Sequence, residues 1–363
     1  MADNFNIQTV LVAPLDWGLG HATRCIPIIR ALETKGFNVI IAADGAQAHL
    51  LNQEFPMLTI LPIPGYRVRY AGTRVGLALA LIKQLPRLKK LITEEHQWLQ
   101  QVIDQHQIDL VISDNRYGLY SEKVSCIFIT HQLTIKAPLG WLQKILQRIN
   151  YRHINRFSAC WVPDTEGEPN IAGILSHPKQ LPAIPVWYMG ILSRFREKKL
   201  EKKYDYCILL SGPEPQRSLL EEKFILGLSK LNSTCLLVRG KPGETETIFI
   251  GDKVTVKNHL RGNELEEAIN QSDYIVCRSG YTSLMEILSL HKKAILIPTP
   301  GQTEQEYLAK RLQEKGYCLS FSQDRFDCSK HLPMAKTFSY QQVSFAAFEE
   351  TDLPHLLNNT LAR

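Results

Sequence analysis

Arg278, Ser279, Gly280, Tyr281, Thr282 and Glu286, followed by Gln302 and Gln305, carry the most telling chemistry in the chain. A short apolar run ends at Cys277, and a helix pattern opens immediately after Gly280. Backbone N–H groups of Ser279, Gly280 and Tyr281 at a helix start suit a diphosphate. Glu286 lies a full turn inside that helix. It is badly placed for phosphate and well placed to accept hydrogen bonds from a ribose diol. Arg278 and the N–H groups from Ser279 to Thr282 could stabilise charge gathering on a leaving diphosphate. The plainer reading of the same residues is a capped helix over a sheet, with Glu286 solvated.

A second group lies near the amino terminus, where residues 14–21 read Pro-Leu-Asp-Trp-Gly-Leu-Gly-His. Gly18 and Gly20 allow a tight turn close to a ligand. His21 falls at a helix start, where imidazolium is disfavoured and a neutral ring can act as general base. Arg24, one turn on, could hold an anionic or carbonyl group or pair with an acid. Two apolar runs further along end in Asp114 and in His131-Gln132. Asp114 could orient His21 or bind acceptor hydroxyls, and His131 and Gln132 could line the same pocket. All three are also ordinary residues for loops at strand ends. A dinucleotide fingerprint would need Gly at position 23, which is Thr, although Asp44 imitates its ribose acid. No G-x-S-x-G elbow follows a strand, which disfavours a serine hydrolase.

These residues need a scaffold that brings strand ends together. Strands are expected at 9–13, 38–42, 109–113, 126–130 and 159–162, with helical patterns between them. The alternation restarts with strands at 206–210, 235–239, 254–257, 274–277 and 294–297. Strands separated by helices imply an α/β fold with parallel, doubly wound sheets, which bind ligands beyond the carboxyl ends of the strands. The expected organisation is a domain over 1–190, a charged linker over 191–204, a second domain over 205–330 and a terminal segment over 331–363. The linker follows from the run Arg194 to Lys203, whose composition is hard to bury.

The 363 residues allow roughly two domains. An apolar fraction of 44% is that of a soluble globular chain. No run of ~18 apolar residues suggests a membrane span, and the first residues lack the pattern of a secretory signal. The eight cysteines are scattered, without zinc or redox spacing, which fits a reducing cytoplasm.

Taken together, the Gly-Leu-Gly-His loop and the Glu-bearing helix resemble GT-B glycosyltransferases. The nearest group is that of the peptidoglycan-precursor N-acetylglucosaminyltransferase, of the glycosyltransferase family 28 kind. The matching stretches are GLGHATRCIPIIRAL at 18–32, VCRSGYTSLMEIL at 276–288 and PTPGQTEQEYLAKRL at 298–312. The resemblance implies two Rossmann-like domains facing across a cleft, with a nucleotide sugar, UDP-linked by preference, on the second domain. It places His21 at the catalytic histidine, Glu286 at the acid holding the donor ribose, and Gln305 at a donor-sugar contact with Gln302 beside it. Ser211 and Gly212 fall at the family's glycine-rich diphosphate loop. That loop has one glycine here, and Pro213 removes a donor. The resemblance implies no cofactor and no essential metal. The amino-terminal GGTGGH of the family is DWGLGH here, which leaves the acceptor open.

The net charge is +6. From Phe55 to Thr93 there is no acid, while Arg67, Arg69, Arg74, Lys83, Arg87, Lys89 and Lys90 alternate with leucines. A second acid-free stretch, from His131 to Pro163, sets Trp141, Ile145 and Ile149 beside Lys144, Arg148 and Arg152. Such segments suit an anionic bilayer surface and a lipid-linked hydroxyl acceptor, or else ordinary helices with basic outer faces. Nucleic acid is not expected, for want of a binding motif. The function expected is inverting glycosyl transfer. The rival readings are a nucleotide-sugar hydrolase or 2-epimerase of the same fold, and a non-enzymatic nucleotide-sugar sensor. The oligomeric state is left open.

Overall fold

A computed structural model of the chain describes residues 7–65, 74–137, 139–241 and 247–361; for 74–86 it describes the backbone. The chain forms two compact units, one containing residues up to Arg194 together with Ala346 onward, the other Phe195–Phe345.

The amino-terminal unit is built from β1 (Thr9–Pro14), α1 (Gly20–Thr34), β2 (Asn38–Ala42), α2 (Gly45–Glu54), β3 (Thr59–Leu61), α3 (Arg74–His106), β4 (Leu110–Asp114), β5 (Ser125–Ile129), α4 (Gly140–Ile154), β6 (Ala159–Val162) and β7 (Val186–Tyr188). Its sheet runs β3-β2-β1-β4-β5-β6-β7, with every pairing parallel. Strands β1, β4 and β6 are buried along their whole length, because helices cover both faces and the strands are continuous apolar runs. The order reverses between β1 and β4, whose last residues Pro14 and Asp114 are register partners.

The terminal helix Leu353–Leu361 belongs to this unit, tied in by a hydrogen bond from Trp161 Nε1 to Thr360 Oγ1 of 3.0 Å. Residues 331–345 of the expected terminal segment lie in the other unit. The charged run after Arg194 is also anchored there: Arg196 N donates to Glu266 at 2.7 Å and Lys198 N to Asn270 at 3.0 Å.

The second unit contains β8 (Tyr204–Leu209), α5 (Gln216–Leu228), β9 (Cys235–Val238), β10 (Thr247–Ile250), β11 (Val254–Lys257), α6 (Gly262–Asn270), β12 (Ser272–Cys277), α7 (Tyr281–Ser289), β13 (Lys293–Leu296), α8 (Thr303–Glu314) and β14 (Cys318–Ser320). The strand order is β10-β11-β9-β8-β12-β13-β14, and β10 alone pairs antiparallel. Here the reversal falls between β8 and β12, where Leu209 and Cys277 are partners. The expected strands are present, and four short ones, β3, β7, β10 and β14, join them. All eight cysteines are free and buried.

Candidate active site

In the amino-terminal unit the candidate residues meet at the point where the strand order reverses. Such points leave a crevice at the carboxyl ends of the strands. His21 stands in the first turn of α1, and Asp114 is the last residue of β4. His21 Nδ1 lies 2.9 Å from Asp114 Oδ2. Asp114 is fully buried, and the His21 side chain keeps 15% of its exposure. An ionised carboxylate can only accept, so Nδ1 carries the proton and Nε2 holds the lone pair. No hydrogen bond occupies Nε2 among the described residues.

Arg24, one turn along α1, grips the same carboxylate. Its Nε donates to Oδ2 at 2.8 Å and Nη2 pairs with Oδ1. Nη1 reaches His131 Nδ1 at 3.2 Å. Arginine can only donate, so His131 Nδ1 accepts and its proton sits on Nε2. Of the roles open to Arg24, the geometry shows pairing with the acid. Asp114 is too deeply enclosed to meet an acceptor hydroxyl, so its contact is with His21. Gln132, after β5, keeps intermediate exposure, and its carbonyl accepts from Asn150 at 2.9 Å.

Charge and burial set the protonation states. Burial pushes the Asp114 carboxyl up, but the Arg24 guanidinium, His21 and their hydrogen bonds outweigh it and hold it well below the usual range. Burial and then the Arg24 charge lower His21 below its ordinary value, with Asp114 acting in the opposite sense. The ring is therefore neutral near pH 7.

Gly18 and residues without a sequence signal hold this loop. Gly18 has φ of +75°, a conformation that favours glycine. Gln47, from α2, donates to the carbonyls of Leu15 and Gly18, each at 2.6 Å. Arg116 is buried and paired with buried Glu95 at 2.7 Å, and it also donates to Pro14 O at 3.1 Å. Ser113 Oγ donates to Arg116 O at 2.7 Å and closes the turn after β4. These contacts span up to a hundred residues, so no local pattern announces them.

The second unit assembles the other group, again at its strand-order reversal. Gly280 caps α7, and a Cβ there would meet nothing within 4 Å. Its first N–H groups lack intrahelical partners. Along α7, Thr282, Ser283, Glu286 and Ser289 form the half-exposed stripe of an otherwise buried helix. Ser279 is buried and its hydroxyl donates to Gln305 O at 2.8 Å. Gln305 Oε1 accepts from Thr299 N at 2.9 Å, and its Nε2 donates to Gln302 Oε1 at 2.5 Å. The two glutamines therefore shape the loop after β13.

Arg278 is held by backbone carbonyls. It is buried, and it donates to the carbonyls of Ser211 at 3.4 Å, Gln216 at 2.8 Å, Ile297 at 3.0 Å and Pro298 at 3.3 Å. It ties three loops together from beneath. Burial lowers its pKa to about 10, which leaves it charged at neutral pH. Ser211 and Gly212 follow β8 and are exposed.

Comparisons with known proteins agree with this geometry. Residues 218–334 match the model of the glycosyltransferase family 28 C-terminal domain, and residues 12–135 that of glycosyl transferase family 1. The UDP-N-acetylglucosamine–N-acetylmuramyl-(pentapeptide) pyrophosphoryl-undecaprenol N-acetylglucosamine transferase of Haemophilus ducreyi is 22% identical over 305 residues, covering 80% of this chain and 78% of that protein. The enzyme of the same name from Actinobacillus pleuropneumoniae is 21% identical over 321 residues, covering 85% and 83%. Among solved structures, MurG of Acinetobacter baumannii superposes with a TM-score of 0.56 at 13% identity, covering 91% of this chain and 90% of that one. The spinosyn rhamnosyltransferase SpnG complexed with thymidine diphosphate gives 0.64 at 13% identity, covering 97% and 100%.

Fold and matches together define a glycosyltransferase of the GT-B fold. More particularly, its second unit is similar to the carboxy-terminal domain of glycosyltransferase family 28.

Proposed function

We propose that the chain is an inverting transferase that moves a hexosyl or N-acetylhexosaminyl group from a UDP-sugar to the hydroxyl of a lipid-linked acceptor. The observation that carries the mechanism is the buried Asp114 carboxylate on His21 Nδ1, which leaves Nε2 as the basic nitrogen. An acceptor O–H donates to Nε2, and its oxygen attacks the anomeric carbon as the proton passes to His21. Asp114 stabilises the imidazolium that results. The bond to the nucleoside diphosphate breaks, and negative charge gathers on the leaving phosphate. The α7 start and the Arg278 charge favour that change. Glu286 accepts from the ribose diol, and Gln302 and Gln305 meet the donor sugar. Uridine is supported by the donor in the relatives' names, and a lipid-linked acceptor by their pyrophosphoryl-undecaprenol substrate.

The amino-terminal unit adds support for an acceptor in a bilayer. On α4, Trp141, Ile145 and Ile149 are exposed at 62%, 44% and 44%. Lys144, Arg148 and Arg152 stand exposed beside them. The spacing of four residues lays an apolar row against a basic row on one helix face. An ordinary core-facing helix would present polar groups there. We read this face as a peripheral, reversible contact with anionic membrane at the cytoplasmic side. No helix among the described residues is long and apolar enough to cross a membrane. In the first basic stretch, Arg87, Lys89 and Lys90 are exposed, whereas Arg67 and Arg69, and the side chains of Arg74 and Lys83, lie outside the described residues.

A panel of nucleotide sugars, assayed with and without a cell-lipid extract, tests the reading. Transfer predicts rapid nucleoside diphosphate release only when the extract is present. Equally fast consumption without it would make the chain a hydrolase or epimerase, and binding without turnover would make it a sensor.

A further inference from the structure

Two buried polar groups stand close to Gly212 in the second unit. Gly212 has φ of +100°, and a Cβ built on it would stand 3.4 Å from Thr299 Oγ1 and 3.8 Å from Arg278 Nε. The space a side chain would fill is therefore bordered by a hydroxyl and a guanidinium. Thr299 is only 2% exposed, and its Oγ1 is buried with no hydrogen-bond partner. Native structures satisfy nearly all such groups, so an unpaired one at a strand-end rim asks for a ligand. Arg278 is also 2% exposed, and its described partners are carbonyls rather than a carboxylate. Carbonyl dipoles fix a guanidinium in place without neutralising it, and a buried cation favours an incoming anion. The nine-residue helix α7 begins three residues after Arg278 and brings its positive end near that loop. An unpartnered donor and a cation with no carboxylate partner among the described residues thus stand at one spot beside Gly212. Each favours a negatively charged group rich in acceptor oxygens.

We propose that Thr299 is a phosphate ligand, its hydroxyl donating to an oxygen of the donor's diphosphate beside Arg278. The assignment rests on the nucleotide-sugar site described above and adds a residue to it that no local pattern marks. Pro298 and Pro300 flank Thr299 and restrict its backbone, which holds the hydroxyl in place before the ligand arrives. The single glycine of the loop after β8 then has a purpose: a side chain at position 212 would stand against Thr299 Oγ1 and Arg278 Nε, where the phosphate oxygen is placed.

Calorimetric titration of UDP, TDP and the two free nucleosides into wild type, Thr299→Val and Thr299→Ser tests the proposal. The valine variant keeps the shape and loses the hydroxyl. It should bind the diphosphates about tenfold more weakly and the nucleosides as wild type does. Serine should restore the affinity. Because the hydroxyl has no partner in the free protein, the valine variant should melt at or above the wild-type temperature. Unchanged diphosphate affinity in the valine variant overturns the assignment. An equal loss for nucleoside and diphosphate also overturns it, since that marks a deformed site. Should the valine variant not fold, the stability argument fails and Thr299 becomes a structural residue. If wild type binds neither diphosphate, the donor-site reading itself fails, an outcome separate from the others.

Discussion

Asp114 Oδ2 accepts from His21 Nδ1 at 2.9 Å and from Arg24 Nε at 2.8 Å, so one buried carboxylate both orients the imidazole and neutralises the guanidinium. The arrangement explains why a histidine beside an arginine still has a proton-accepting nitrogen directed away from the pair. It also makes Asp114 a partner to both the His21 tautomer and the buried Arg24 charge.

Asp114→Asn separates those two contributions poorly but measurably. The amide can present either an acceptor or a donor to Nδ1, so the tautomer is no longer fixed. Turnover should fall by about 10²-fold or more, within the usual range for losing acid–base function. Arg24 loses its buried partner at the same time, and breaking such a pair costs about 3–5 kcal/mol. Thermal or urea unfolding should show that loss, whereas nucleotide affinity, which depends on the other unit, should stay as in wild type. A variant with normal turnover would show that Asp114 does not govern His21.

The pH dependence follows from the direction of the His21 shift. Protonated His21 cannot accept the acceptor's proton, so activity is lost as pH falls through the pKa of the site. Burial and the Arg24 charge place that pKa below the ordinary value of 6.5. The acid limb of log kcat should therefore have its midpoint below 6.5, with a plateau at neutral pH. Asp114 raises the His21 pKa, so in the asparagine variant the limb should move to lower pH still. An acid limb centred above 7 would be inconsistent with His21 as the titrating base.

Glu286→Ala should weaken nucleotide binding while leaving the fold intact. Glu286 lies on the half-exposed stripe of α7, so truncation opens no cavity in the core. Loss of a charge-assisted hydrogen bond to the ribose should reduce affinity about tenfold or more. Calorimetry with UDP measures this. Equal affinities would put the ribose elsewhere.

Membrane contact through α4 can be checked by co-sedimentation with vesicles containing anionic lipid. Wild type should pellet at low salt and less so at physiological salt, since screening weakens surface attraction. A variant with Lys144, Arg148 and Arg152 all replaced by Glu should stay in solution. These side chains are exposed, so the change should not disturb folding. Wild type that never pellets would favour a soluble acceptor.

Residues that work through local spacing were legible in the sequence. Thr282 and Glu286 share a helix face because they are four apart, and His21 falls at a helix start because Gly18 and Gly20 end the preceding loop. Long apolar strands were equally visible, because burial on both faces demands uninterrupted apolar runs. The three-residue strands β3, β7 and β14 were not, since three residues show no periodicity. The Asp114 contact could be suspected only from its position at a strand end. Its partner lies 93 residues away, and the meeting of a helix start with a strand end is a property of the fold. Arg278 shows the limit most clearly. Its charge suggested help for a leaving diphosphate, but the ring of carbonyls that fixes the guanidinium depends on loops that converge only in space. Gln47, Glu95 and Arg116 left no trace for the same reason.

The most direct test of the account is to replace His21 with Ala and measure sugar transfer and nucleotide binding on the same preparation. With a UDP-sugar and the acceptor found in the lipid extract, kcat should fall by about 10²–10⁴-fold. The dissociation constant for UDP should equal that of wild type, because the base takes no part in holding the donor. Undiminished turnover on the true acceptor would contradict the account and remove His21 from the chemistry.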